Sequence, residues 1–284
     1  MKKLTMNRIC FVVEDKSKSY SFLTENLPHE VAKISCIGKK SIKDRIDANA
    51  LYICNTKSEY IKLLNQGIVA VYWESNLGGE NISGNEFTEY EPNTRKPKYV
   101  VQDIEQLEWE DYEHIYNRIN RLPCEILRTE RLIVRETTVA DVDAFLELYK
   151  DPSITMYMED LFEPDKEREY QADYITNIYE FYDIGMWTLA LITPDGKEGN
   201  IIGRMGIEMT EQEGVAEMGF MLGCDYQGRG YAVEAGRAIL EYVRTVSGIK
   251  TIRAKVHERN VSSQNLCKKL GMKNINNDIW VKDI

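Results

Sequence analysis

The stretch Tyr226-Gln227-Gly228-Arg229-Gly230-Tyr231-Ala232 constrains this chain more than any other. It follows an apolar run of strand length, Ala216-Glu217-Met218-Gly219-Phe220-Met221-Leu222, and precedes Val233, Ala235, Gly236, Ile239, Leu240, Val243 and Val246. Apolar residues three and four apart mark an amphipathic helix, and Gly248 stands where a helix stop is expected. The unit is therefore strand, short glycine-containing turn, helix. Such a turn leaves the first N–H groups of the helix without intrahelical partners, with the positive end of the helix dipole behind them. That is a site for a phosphate or pyrophosphate. Gly228 and Gly230 carry no Cβ, so a ligand can approach the backbone closely. Arg229 can add a charge-assisted contact.

The loop is neither the Gly-x-x-x-x-Gly-Lys-Ser/Thr of nucleotide hydrolases nor a Gly-x-Gly-x-x-Gly dinucleotide fingerprint. Its pattern is Gln-x-x-Gly-x-Ala, carried by Gln227, Gly230 and Ala232. This resembles the pyrophosphate loop of the GNAT N-acetyltransferases, which bind acetyl-coenzyme A. A second GNAT-like signature follows in the right order: Asn260-x-x-Ser263, then Lys269-Leu270-Gly271-Met272. The run Thr129-Glu130-Arg131-Leu132-Ile133-Val134-Arg135-Glu136 resembles the opening of the RimJ/RimL-like group, whose members acetylate protein N-termini and other amines. The resemblance extends from about Arg128 to the C-terminus.

With 284 residues, the length suggests two domains at roughly 100–200 residues each. The boundary is read at Leu122-Pro123-Cys124, giving an α/β unit over residues 1–124 and an α+β, GNAT-like unit over 125–284. In the first unit, Ile9-Cys10-Phe11-Val12-Val13, Ala50-Leu51-Tyr52-Ile53-Cys54, residues 68–73 and residues 99–101 read as strands. Residues 58–65 and 109–121 read as helices, and residues 77–98 as a loop. Strand, helix and strand at this spacing predict a parallel, Rossmann-like sheet. The topology resembles the haloacid-dehalogenase type, but that family needs an Asp-x-Asp pair after its first strand. Glu14-Asp15-Lys16-Ser17 does not match it, so a non-catalytic accessory domain is expected.

In the second unit, Thr138-Val139-Ala140-Asp141 predicts a capped helix running to Tyr149. Residues 164–182 read as one helix with Tyr170, Tyr174, Ile178 and Phe181 as its aromatic stripe, packed into the core or walling an acceptor site. Residues 186–193, 201–208 and 215–222 then form a predicted antiparallel meander leading into the loop. Residues 251–257 read as a strand and 262–270 as a helix. Only Ile279-Trp280-Val281-Lys282 reads as a strand after Met272, where the family usually has two.

Composition narrows the function classes. No apolar run approaches the ~18 residues of a membrane helix, and no signal peptide is recognisable. Six scattered cysteines and three histidines form no metal motif, so no metal is expected. Cysteines without a secretion signal suggest the cytoplasm. A net charge of −10 argues against a nucleic-acid surface and is compatible with a cationic amine substrate. Nothing in the sequence specifies an oligomeric state or the acceptor.

The resemblance implies acetyl-CoA as cosubstrate and an amine, peptide or small molecule, as acceptor, with direct attack in a ternary complex. It implies that the strand before the loop and the next strand splay apart, so that pantetheine pairs along residues 218–222. The implied coenzyme-binding set is Met218, Phe220, Met221, Leu222, Gln227, Gly228, Arg229, Gly230, Tyr231, Ala232, Asn260, Ser263 and Lys269. The N–H of Met221 or Leu222 would polarise the thioester oxygen. Among Glu136, Glu208, Glu217 and Glu258, Glu217 is the favoured general base, because it sits on the strand beside the thioester. Relatives carry a Tyr acid where this chain has Cys267, which leaves Cys267 and Ser263 as candidate proton donors. That departure keeps open a non-catalytic acetyl-CoA sensor.

Overall fold

The computed structural model describes residues 6–12, 47, 49–68, 70–74, 99–102, 104–246, 248–276 and 278–284. The chain divides into two compact units, Met1–Leu122 and Pro123–Ile284.

The first unit is built on a parallel sheet, β1 (Arg8–Val12), β2 (Ala50–Cys54), β3 (Ala70–Trp73) and β4 (Val100–Val101), in that spatial order. β2 and β3 are unbroken apolar runs, and β1 becomes one after Arg8, because both faces are covered. Ile9, Phe11, Leu51, Ile53, Val71 and Trp73 pack with Tyr112 and Tyr116 of a helix at Trp109–Asn120. Cys10, Val12, Tyr52, Cys54 and Tyr72 pack with Tyr60 and Leu63 of α1 (Lys57–Asn65). The helix at Trp109–Asn120 is α2. Glu14-Asp15-Lys16-Ser17 and the predicted loop over residues 77–98 lie outside the described residues.

The second unit holds an eight-stranded sheet. Its strands are β5 (Glu125–Arg128), β6 (Leu132–Glu136), β7 (Met186–Ile192), β8 (Glu198–Met209), β9 (Val215–Leu222), β10 (Thr251–Lys255), β11 (Lys273–Asn276) and β12 (Ile279–Asp283). The spatial order is β11-β12-β10-β9-β8-β7-β6-β5. Only β9 and β10 pair in parallel. Helices α3 (Val142–Leu148), α4 (Pro152–Thr155) and α5 (Pro164–Tyr174) precede β7, with α6 (Glu180–Tyr182) following α5. α7 (Tyr231–Val243) and α8 (Val261–Lys269) flank β10 in sequence. Side chains alternate across a strand. Met218 and Leu222 therefore join the core with Ile239, Val243 and Leu266 of α7 and α8, while Met221 joins Phe145 and Ile154.

Two expectations are corrected here. The helix over residues 164–182 is not uniform: Ile175–Tyr179 form a π-helical turn between α5 and α6. A π turn inserts a residue into the helical repeat, so Tyr174 and Tyr179 are buried while Tyr170 and Phe181 are exposed. The aromatic stripe is therefore not one continuous line. The second correction is at the C-terminus, where β11 and β12 form an antiparallel hairpin and complete the sheet. The β11 strand is exposed along its whole length. A polar edge strand of Lys and Asn has no apolar alternation to read, and such residues discourage edge-to-edge pairing.

Gly206 lies where β7 and β8 approach closely. A Cβ there would sit 1.9 Å from the Gly185 carbonyl oxygen and 2.8 Å from Met186 Cα, both backbone atoms. Gly206→Ala is expected to cost at least about 1–3 kcal/mol, the usual range for overpacking. A urea unfolding midpoint unchanged from the parent would show that the strands separate without cost.

Candidate active site

β9 and β10 pair over three rungs, Thr251↔Val215, Ile252↔Ala216 and Arg253↔Glu217, and then separate. The resulting open edge is the splay the sequence resemblance implied. The phase of β9 is fixed by two bonds to the β8 side: Gly223 N–H to the Ile202 carbonyl at 2.9 Å and Thr210 N–H to the Val215 carbonyl at 3.4 Å. In an antiparallel ladder, alternate residues point their polar groups to the same neighbour. Odd-numbered residues of β9 thus face β8, and Met218, Phe220 and Leu222 turn their N–H and C=O groups to the open edge. The Met221 N–H expected at the thioester faces β8 instead; of the two named amides, Leu222 has the required direction.

The chain leaves β9 through a short 3-10 turn at Cys224–Tyr226. Gln227 turns back, and its Nε2 donates to the Leu222 carbonyl at 2.9 Å. Its side chain therefore braces the strand end. Gly228 and Gly230 adopt φ of +72° and +87°, a region that favours glycine. Gly230 is the N-cap of α7, and no side chain caps it. Among the described residues, the N–H groups of residues 228–233 donate to no protein acceptor. Six such amides at one helix start are a strong anion-binding feature.

Arg131 fixes the loop from behind. Its Nη1 donates to the Arg229 carbonyl at 3.1 Å, its Nε to Glu234 Oε2 at 2.7 Å, and its guanidinium lies 4.4 Å from the Tyr231 ring centroid. Glu234 also accepts from the Thr129 hydroxyl at 2.6 Å and the Arg131 N–H at 3.0 Å. Burial alone would raise the Glu234 pKa; the Thr129 and Arg131 donors outweigh it and hold the carboxyl below its usual range.

The open edge and the loop share one cleft of about 500 Å³. Of the predicted coenzyme set, Phe220, Met221, Leu222, Gln227, Gly228, Gly230, Tyr231, Ala232, Asn260, Ser263 and Lys269 line it. Met218 contributes only edge backbone, its side chain being core. Arg229 is absent from the lining, and its carbonyl is held by Arg131. A neighbouring hollow of about 690 Å³ shares Gly230 and Lys269 and adds Arg128 and Arg237. Glu130 and Glu234 line the same hollow, and Arg128 is paired with Glu125, so Arg237 and Lys269 are its cations without a carboxylate partner among the described residues.

The predicted proton-transfer residues are placed differently. Cys267 is fully buried in the core and absent from the cleft lining; burial pushes its thiol up to about 11. Such a thiol is an inert packing residue. Ser263 lines the cleft, and its N–H donates to Asn260 Oδ1 at 3.0 Å, so Asn260 caps α8 while facing the same space. Glu217 lies at the last paired rung, outside the cleft lining, with Arg253 Nε donating to it at 2.7 Å. Its arginine partner is therefore Arg253. Glu136 is buried and accepts from Cys124 N–H at 3.0 Å. Glu208 accepts from the Tyr174 hydroxyl at 2.6 Å, and Glu258 is exposed in a turn.

The opposite wall was missed by sequence reasoning. Ser153, Ile154, Met156, Tyr157 and Met158 supply it from α4 and the turn after it. The Tyr157 ring lies 5.0 Å from His257, and its hydroxyl donates to the Arg259 carbonyl at 3.3 Å. This segment has no periodicity, so nothing local marked it. The Arg131–Glu234 pair was also missed; an acidic residue in the first turn of α7 was its one readable sign.

Known proteins share this second unit. The family model described as "Acetyltransferase (GNAT) domain" matches residues 131–273, half of the chain. An uncharacterized N-acetyltransferase, p20, of Bacillus licheniformis is 32% identical over 148 residues, covering 51% of this chain and 81% of that protein. Another, YnaD of Bacillus subtilis, is 30% identical over 149 residues, covering 52% and 82%. A solved acetyltransferase structure from Agrobacterium tumefaciens aligns with a TM-score of 0.45 at 22% identity, over 56% of this chain and 92% of that one. The haloacid-dehalogenase resemblance of the first unit gains no support from these matches. The chain belongs to the GNAT acetyltransferase family, enzymes that take their acetyl group from acetyl-CoA.

Proposed function

We propose that residues 125–284 bind acetyl-CoA in this cleft and transfer its acetyl group to a primary amine, a protein N-terminus or a small amine, by direct attack in a ternary complex. The observation that carries the reading is the meeting of two sets of free backbone donors in one cleft: the amides of residues 228–233 and the open edge of β9. The first set takes the pyrophosphate. The pantetheine arm then runs from the loop along the edge, pairing with Leu222, and the thioester oxygen falls to the Phe220 N–H.

The amine nitrogen attacks the thioester carbon, and the oxyanion is held by that amide. Collapse breaks the C–S bond, leaving an amide and the coenzyme thiolate. The proton lost from nitrogen passes through water to Glu217, about 10 Å along the strand at ~3.3 Å per residue. Ser263, on the facing helix, donates a hydrogen bond to the thiolate. Holding both reactants in line supplies much of the rate. Residues 1–124 serve as an accessory domain without a catalytic part in this reaction.

Thiol release from acetyl-CoA with a panel of primary amines tests the reading. Amine-dependent release is expected; acetyl-CoA binding with no release for any amine would favour a sensor. In the same assay Glu217→Gln should lower kcat about 10²-fold, the lower end for loss of a general base, and leave the acetyl-CoA Kd unchanged. A kcat and pH profile equal to the parent would remove Glu217 as the proton acceptor.

A further inference from the structure

A third cavity, of about 450 Å³, lies between the α5–α6 segment and the end of β8 and, among the described residues, shares none with the coenzyme cleft. Tyr170, Tyr174 and Tyr182 wall it, with Glu208 and Asp173 as its charged groups. Among the described residues no lysine or arginine lines it; Arg253 lines the adjoining hollow that shares Glu208, where Glu217 holds it. The Tyr174 hydroxyl donates to Glu208 Oε1 at 2.6 Å. Burial, first, and the Glu208 charge, second, push the Tyr174 pKa well up, so the phenol stays protonated and remains a donor. One carboxylate oxygen is thereby fixed and the other is left to a ligand. Among the described residues no cation forms an ion pair with Glu208 or Asp173. Arg204 acts on the Tyr170 hydroxyl through its charge, stacks over Phe145 at 5.1 Å and is absent from the lining.

Phenol faces around an oriented carboxylate are a receptor for an alkylammonium group, which gains cation–π attraction and a charge-assisted hydrogen bond together. The π turn at Ile175–Tyr179 lies between Tyr174 and Tyr182 and adds Asn177 and Ile178 to the same wall. Such turns are frequent at functional sites.

We infer that this cavity binds a second ammonium group of the acceptor, so that the preferred acceptor is an alkyl amine carrying two separated positive charges. This rests on the acetyl-transfer reading for the location of the first nitrogen. Glu208 is directly opposite Glu217 in the β8–β9 register, three residues from Phe220. The two nitrogens are therefore about 10 Å apart, at ~3.3 Å per residue of strand. A free polyamine and a peptide with a lysine near its N-terminus both present this chemistry.

The test compares octylamine, diaminopropane, diaminooctane and a peptide with lysine at its third position, using the full chain with acetyl-CoA. Diaminooctane is expected to exceed octylamine about tenfold in kcat/KM, with diaminopropane too short to gain. A comparable gain for the peptide over its norleucine counterpart would identify the peptide as the source. Glu208→Gln keeps an oxygen for Tyr174 and should bring the diaminooctane-to-octylamine ratio close to one. An unchanged ratio in Glu208→Gln, or no preference for the long diamine in the parent, overturns the proposal. Should acetyl-CoA bind but no amine be acetylated, the transfer reading fails by itself. Calorimetric binding of diaminooctane to parent and Glu208→Gln then still decides the cavity's role: equal heats overturn it, and heat lost only in the variant supports it.

Discussion

Gly230→Glu is expected to abolish acetyl-CoA binding, raising Kd by at least about 100-fold, while the second unit stays folded. Three effects act together at this position. The residue sits at φ +87°, where an L side chain is strained by roughly 1–2 kcal/mol. A Cβ would meet Arg131 Nη2 at 3.4 Å, an ordinary contact, so the side chain fits without disrupting the core. Its carboxylate would then occupy the donors meant for the pyrophosphate and repel the diphosphate charge. Gly230→Ala separates strain from charge and should show a much smaller loss. Calorimetry and a thermal melt on both variants check this. Near-parental affinity in Gly230→Glu would mean that the coenzyme does not use this loop.

Arg131→Ala should raise the acetyl-CoA Kd roughly 10- to 100-fold with kcat at saturating coenzyme largely retained. The reason is geometric. Arg131 touches the loop through the Arg229 carbonyl and the Tyr231 ring, and Glu234 orients it. With the carbonyl held inward, the following amides face the cleft; released, the loop must be ordered by the ligand at the cost of binding energy. Glu234→Gln should mimic the effect in part, and the double variant should lose less than the sum, because both act through one contact set. A pH dependence follows with a fixed sign. The Glu234 pKa is lowered in the fold, so the pin is intact above the ordinary carboxylate range and is lost as pH falls through the lowered value. Affinity for acetyl-CoA should weaken on acidification in the parent and less so in Glu234→Gln. Equal kcat loss and KM change in Arg131→Ala would contradict a positioning role.

The strand–loop–helix unit was legible because each part has a local cause: apolar alternation in β9, glycines at positive φ, and helical spacing in α7. The meander over β7, β8 and β9 was legible for the same reason. What escaped had non-local causes. β5 and β11 are short edge strands whose pairing depends on neighbours and not on their own pattern. The direction of the Phe220 and Met221 amides depends on register with β8, which no single strand encodes. Cys267 took the place of an expected acid by position alone; its burial, visible only in the fold, removes that role. Glu217 lies on β9, as its apolar neighbours predicted, but its Arg253 partner comes from a strand thirty-six residues away.

The most direct test is a structure of the second unit's cleft, in the full chain, with coenzyme A bound. Pyrophosphate oxygens should lie within hydrogen-bonding distance, about 2.7–3.2 Å, of backbone nitrogens between Gly228 and Val233, with the pantetheine amide on the Leu222 edge of β9. A pyrophosphate bound elsewhere, with those nitrogens left to solvent, would contradict the account.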